Sequence, residues 1–242
     1  MKEVFKKIIL VIVLIIIIFL VKFIYNFSII NKIGKKIVDT YSLNNICYEY
    51  RNIGKNTESS IRKRLNKKIY YESIVGEGEG ATKQIYYSDN ENDVYYYAPE
   101  NEKILIPERK VILYWQMDTQ MAKTRAEVYA YQNYLGNGIF ASKVYNLKSI
   151  KSKMIDNIEC YEITMKYDNY LEKTYFNKET LLPIKVVKEN TKNNNILEWE
   201  IIIKEDVVTE IDVAIPEDYT VMEYGEYLEY IRQKNVDFDE TN

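Results

Sequence analysis

A mainly β domain of the α+β class is the architecture this sequence predicts. It would be a curved antiparallel sheet or open half-barrel with a few packed helices, preceded by one N-terminal transmembrane helix. Three observations predict it. Ile8 to Val21 are fourteen unbroken apolar residues. Twenty-four Tyr, with only eight Gly and four Pro in 242 residues, favour pleated, half-buried strands. Beyond Asn44, runs that alternate apolar and polar residues recur at short intervals with turn material between them. That spacing belongs to hairpins rather than to crossover units.

The composition also excludes functions. At 47% hydrophobic and 29% charged, the chain is neither a disordered tail nor a polytopic membrane protein. A net charge of -3 argues against generic nucleic-acid binding. There is no His. Ser-His-Asp and Cys-His pairs, His metal sites and the usual neutral-pH proton shuttle are therefore absent. No metal, cofactor or enzymatic activity is expected.

The first element runs from Phe5 to Tyr25, 21 positions interrupted only by polar Lys6, Lys7 and Lys22. At about 1.5 Å per residue it spans roughly 30 Å, the hydrocarbon thickness of a bilayer. An all-round Ile/Leu/Val surface has no polar face to show water, which argues against a buried core helix. Lys22-Phe23-Ile24-Tyr25-Asn26-Phe27 offers no small-x-small triplet, which argues for an uncleaved signal anchor over a cleaved signal peptide. Residues 1–30 are accordingly a cytoplasmic tail and anchor, residues 31–235 one extracytoplasmic domain, and residues 236–242 an acidic tail. Lys2, Lys6 and Lys7 hold the short tail inside. Beyond residue 30 the chain carries 29 basic and 35 acidic residues, a net of -6, with a basic collar at Lys32, Lys35 and Lys36. The collar is either a contact for anionic headgroups or a solvated helix face.

Ile30, Ile33, Ile37 and Tyr41 recur at helical spacing and predict an amphipathic helix over 30–43. Ile46, Tyr48 and Tyr50 alternate with Cys47, Glu49 and Arg51 and predict a strand. Residues 52–68 are polar and basic and read as a loop. Strands follow at Ile69–Val75, Lys83–Ser88, Asp93–Ala98, Lys103–Ile106 and Lys110–Trp115. Met117, Met121, Thr124, Val128, Tyr131 and Leu135 form a helical stripe closed by Gly136-Asn137-Gly138. Strands are predicted again over 159–167, 172–177, 184–189, 197–203 and 207–213. Ile215-Pro216 breaks the sheet, and a last helix is predicted near 223–234.

Two stretches resemble a known family. Cys160-Tyr161-Glu162-Ile163, followed by Tyr175-Phe176-Asn177-Lys178-Glu179-Thr180-Leu181-Leu182-Pro183-Ile184-Lys185, is similar to a strand, turn and return strand of the extracytoplasmic half-barrel superfamily. That superfamily includes LolA/LolB-type lipoprotein carriers, mycobacterial lipid-binding lipoproteins of the LppX type and RseB-type sensor domains. Asp212-Val213-Ala214-Ile215-Pro216-Glu217-Asp218-Tyr219 resembles its closing segment. The resemblance implies a curved sheet closed over by helices, enclosing a cavity for acyl chains or a hydrophobic peptide. Because the chain is tethered, it implies binding or sensing rather than free shuttling.

Tyr86, Tyr96, Trp115, Tyr161, Ile163 and Trp199 are the candidate ligand-lining residues. Alternation sends neighbouring Tyr to opposite faces, so only part of each Tyr cluster can face one cavity. Hydrogen-bonded Tyr on a sheet surface and aromatic core are the competing readings. Cys47 and Cys160 sit on the polar side of their strands. They either pair as a disulfide, closing a loop of over 100 residues, or remain two thiols. Gly76-Glu77-Gly78-Glu79-Gly80 lacks the spacing and the Lys-Ser/Thr of a phosphate loop and reads as a turn. The expected partners are the membrane, through residues 5–25, and a lipid or lipoprotein-like ligand. An envelope protein, docked on a domain with a filled core, is the alternative.

Overall fold

The computed structural model describes residues 2–41, 43–53, 59–76, 81–88, 93–97, 110–116, 146–223, 225–229 and 232–233. Helix α1 runs from Lys2 to Tyr41, 40 residues without a break. Its segment Phe5–Ile37 is long and apolar enough to cross a membrane. The apolar side chains from Phe5 to Tyr25 are exposed, whereas Ile29, Ile30, Ile33 and Ile37 are buried. The predicted anchor and the predicted amphipathic helix are thus one element, and residue 30 falls inside it. The physical reason is in the sequence: no Gly or Pro occurs before Gly34, so nothing stops helical propagation.

Twelve strands form one sheet among the described residues. They are β1 (Asn45–Asn52), β2 (Ser59–Leu65), β3 (Lys68–Val75), β4 (Thr82–Ser88), β5 (Asp93–Tyr97) and β6 (Lys110–Gln116). The second half supplies β7 (Leu147–Ile155), β8 (Ile158–Lys166), β9 (Tyr170–Asn177), β10 (Pro183–Asn190), β11 (Ile196–Glu205) and β12 (Tyr219–Glu223). Their spatial order is β12-β6-β5-β4-β3-β2-β1-β11-β10-β9-β8-β7. Two antiparallel meanders, β1 to β6 and β7 to β11, are therefore joined where β1 pairs β11, from Ile46↔Glu205 to Asn52↔Trp199. The architecture is the curved, mainly antiparallel sheet that the alternation predicts. Strand β12 adds one parallel pair, on β6.

Three expectations are corrected. The basic stretch read as a loop contains β2, paired on both sides with β1 and β3. Three consecutive cations, Arg62, Lys63 and Arg64, hide its alternation. Asn66, in the left-handed region at φ 55, turns it into β3. Strand β7, rich in Lys, was not predicted. Asp156 and Asn157, both at positive φ, form its two-residue turn into β8. The strand predicted over 207–213 is instead the short helix α2 (Glu210–Val213). Asp206 ends β11 at φ 55. The Asp212 carboxylate then accepts the Thr209 N–H at 2.9 Å and its Oγ–H at 2.7 Å. These bonds favour a helical start over a ladder. Residues 225–229 and 232–233 are helical, within the last helix expected. The strand expected at 103–106 and the helix expected at 117–135 lie outside the described residues.

Each face of the sheet has its own cover. On one, the four buried isoleucines of α1 pack on Ile163 and Phe176, flanked by Tyr48, Leu147, Ile150, Tyr161, Met165 and Leu181. On the other, Ile85 and Tyr87 pack with Tyr70, Ile215 and Tyr219. Ion pairs from Lys63 to Asp212, and from Lys68 to Glu210 at 2.7 Å, hold α2 on that second face.

Candidate functional site

Strand periodicity decides which side chains share the face under α1. The registers align Ile163 with Thr174, Thr174 with Val186 and Val186 with Trp199. One step further, Tyr50 lies opposite Ile201 and Tyr48 opposite Ile203. The same phase continues through Arg62, Tyr71 and Tyr86. α1 covers only part of this face. Beside it, Val186, Trp199 and Ile201 are buried in a second cluster with Tyr50, Leu197 and Ile203. The rings of Tyr50 and Trp199 stack at 5.3 Å between centroids and 20° between planes.

One polar pair lies at the border of this patch. Glu172 and Lys188 are directly opposed on β9 and β10. Lys188 Nζ lies 5.5 Å from the Trp199 ring centroid and 6.0 Å from that of Tyr170. It is 3.5 Å from Glu172 Oε2. Glu172 is 2% exposed, and its Oε1 has no hydrogen-bond partner among the described residues. Burial pushes the Glu172 carboxyl up to about 7, and the Lys188 ammonium only partly opposes this. A carboxyl poised between neutral and charged can donate or accept one hydrogen bond, and the ammonium beside it can hold an anion or a carbonyl. The arrangement offers an apolar, aromatic bed with a single polar point. Its apolar centre, Val186, Trp199 and Ile201, is buried.

The six candidate residues are distributed as follows. Trp199 is in the patch. Tyr161 and Ile163 share its face but pack against α1, so they hold the helix. Tyr86 shares the face by register and tilts against Tyr71 at 5.9 Å between centroids. Tyr96 pairs with Tyr86 across β4 and β5, and Trp115 with Val94 across β5 and β6. The side chains of Tyr96 and Trp115 lie outside the described residues. Glu172, Lys188 and Tyr50 were missed. No local signal marks Glu172: it shares a strand face with Thr174 and Phe176, and that face shows as inward only once β9 is paired with β8 and β10.

The disulfide expected as one alternative is not formed. Cys47 and Cys160 are both free. They lie on β1 and β8, with β11, β10 and β9 between. Four strand spacings of about 4.8 Å put them far beyond the roughly 7 Å that a disulfide allows. Burial raises both thiols above their ordinary range, the direction of inert rather than reactive cysteine.

No family model matches this chain, and no curated protein matches it. Among solved structures it is similar to an uncharacterized conserved protein from Thermus thermophilus, with a TM-score of 0.47 and 9% identity over 80% of this chain and 98% of that one. It is also similar to MucB in complex with MucA(peri), with a TM-score of 0.40 and 9% identity over 80% of this chain and 61% of that one. A DUF1329 family protein from Desulfovibrio piger matches with a TM-score of 0.30 and 11% identity, over 74% of this chain and 92% of that one. These are likenesses of architecture, and no activity is carried over from them.

Proposed function

We propose that this chain is a membrane-anchored, non-enzymatic binding or sensing domain for a hydrophobic, lipid or lipoprotein-like ligand, held on the extracytoplasmic side of the cytoplasmic membrane. The observation that carries the reading is the patch of Tyr50, Val186, Trp199 and Ile201, which has at its border a buried carboxyl, Glu172, paired with the half-buried ammonium of Lys188. A molecule with an apolar body and one polar group matches that chemistry. Apolar burial, at about 25 cal/mol per Å², supplies the affinity, and Glu172 with Lys188 sets the orientation. The N-terminal helix supplies the membrane attachment.

The test is extraction of the full chain in mild detergent, followed by mass spectrometry of co-purifying small molecules. Recovery of one lipid class with the wild type, and its loss from Trp199→Ala, is the expected result. Repeated recovery of empty protein overturns the reading. A second reading, an envelope interaction module with a filled core, is favoured by one observation: Val186, Trp199 and Ile201 are already buried by the protein itself. A stoichiometric protein partner captured by cross-linking, together with empty protein, would select it.

A further inference from the structure

We infer that the β7 edge of the sheet, together with the basic turn of α1, lies flat on the membrane and is held there by anionic phospholipid headgroups. The inference concerns a surface separate from the aromatic patch. It rests on the part of the reading above in which α1 spans the bilayer.

Two contacts fix the course of α1 across the sheet. At its C-terminal end, the Tyr48 hydroxyl on β1 donates to the Thr40 carbonyl at 3.3 Å. Further back, its buried isoleucines form one cluster with Ile163 on β8 and Phe176 on β9, against which Leu147 and Ile150 of β7 also pack. From Thr40 back to Ile29 is roughly 16 Å of helix axis. From β1 to β8 is four strand spacings, about 19 Å. Running back from β1 towards Ile163, the helix brings Ile29 close to β8, and its next two turns, about 11 Å, carry it past the β7 edge. The exposed apolar segment ends at Tyr25 and Phe27, and burial by the sheet begins at Ile29. No slack separates bilayer from sheet, so the edge that the helix crosses is brought up against the headgroups.

That edge is basic in a domain that is otherwise acidic. Lys148, Lys151 and Lys153 on β7 and Lys166 at the end of β8 are exposed, as are Lys32 and Lys35 on α1, with Lys36 half-buried. Of these seven, only Lys153 has an acidic partner among the described residues, Glu162 at 3.4 Å. The exposed acids nearest to them in sequence are Asp39 on α1, Asp156 in the β7–β8 turn, Glu159 on β8 and Asp168 in the β8–β9 turn, four against seven lysines, and Glu159 is already paired with Lys178 at 3.6 Å. Lys on an edge strand also blocks pairing with other chains. That role explains β7 alone, and it leaves the same charge on the adjoining helix unexplained. Lysines collected where a span leaves the bilayer match the potential of an anionic leaflet.

The test is amine-reactive footprinting of the full chain reconstituted in vesicles, read lysine by lysine by mass spectrometry. Vesicles of phosphatidylcholine are compared with vesicles containing about one third phosphatidylglycerol. Exposed Lys67 and Lys204, on the opposite side of α1's course, are the internal controls. Labelling of Lys148, Lys151 and Lys166 is expected to fall about threefold or more on the anionic vesicles and to recover in about 0.5 M salt, which screens headgroup charge. Equal labelling on both vesicles, or a fall shared by Lys67, overturns the inference. So does protection on phosphatidylcholine that salt does not relieve. The variant Lys148→Glu/Lys151→Glu/Lys153→Glu, checked for native circular dichroism, should label at Lys35 and Lys166 on anionic vesicles as on neutral ones. Where it does not fold, the salt arm on the wild type decides. Release of the wild type by alkaline carbonate would instead defeat the spanning helix itself, so the two failures are distinct.

Discussion

Glu172 carries the sharpest residue-scale consequence. Its carboxyl is pushed up to about 7 by burial, from about 4.3 in an unfolded chain. The folded state therefore holds the proton more tightly. The corresponding stability is complete below about pH 4 and is lost as pH rises through about 7, on the order of 3 kcal/mol at most. Glu172→Gln should flatten urea stability between about pH 5 and 7 and exceed the wild type above that window; an unchanged slope would remove Glu172 as the cause. The two cysteines make a second prediction: unfolding without reductant should release two thiols to a thiol reagent, and non-reducing electrophoresis should show no intramolecular bridge. The inward phase of Trp199 was legible in the sequence because it alternates with Glu198 and Glu200 in a strand. Glu172 was not, because nothing local tells a charge at an inward phase from one at an outward phase until the register with β10 is known. The disulfide alternative failed for the same reason: facing and pairing are separate facts, and strand order decides the second.

At the scale of elements, α1 and α2 act as opposite clamps. Ile33 is fully buried between α1 and the sheet. Ile33→Ala should cost about 2–5 kcal/mol and open the segment at residues 43–45 to protease, read as a faster cut beyond the C-terminal end of α1. Asp212 is held down to about 2, first by its bond from Lys63 and then by Thr209. Its stabilisation is present above about pH 4 and is lost as pH falls through about 2. Asp212→Asn should therefore cost about 1 kcal/mol near neutrality, allowing for solvent screening, and nothing at the acid end. Denaturant titrations at both pH values check it. The predicted strands with clean alternation, such as β1, β8 and β11, agree with the structure to within a few residues. β2 was illegible because Arg62, Lys63 and Arg64 at successive positions mask period two, and its identity comes from partners on either side; β7 was illegible because a register shift between Leu147 and Ser149 breaks its alternation, and its identity comes from β8 alone. Strand 207–213 was misread because Val207, Val208 and Val213 have strand propensity, while Asp206 and Thr209 impose a turn and a helical start.

On the whole-molecule scale, the resemblance stretches fall at strand ends and at a cover of the sheet. Tyr175 to Asn177 ends β9, and Pro183 opens β10. Ile215 covers the face opposite α1. Joining the two meanders through β1 and β11 makes the fold depend on a contact between residues about 150 positions apart. The full chain should sediment with membranes and resist carbonate, and protease applied to intact cells should remove the C-terminal domain; a fully protected domain would reverse the sidedness proposed above.

The unbroken course of α1 has a mechanical result. Forty helical residues make a rod about 60 Å long, and its far third is clamped to the sheet rather than joined to it by a supple stretch. A lean of about 20° from the bilayer normal, ordinary for a single span, displaces the Tyr41 end by about 20 Å. With α1 spanning the bilayer as proposed above, whatever alters the lean of this mast, bilayer thickness included, tips the β7 edge toward the headgroups or away from them.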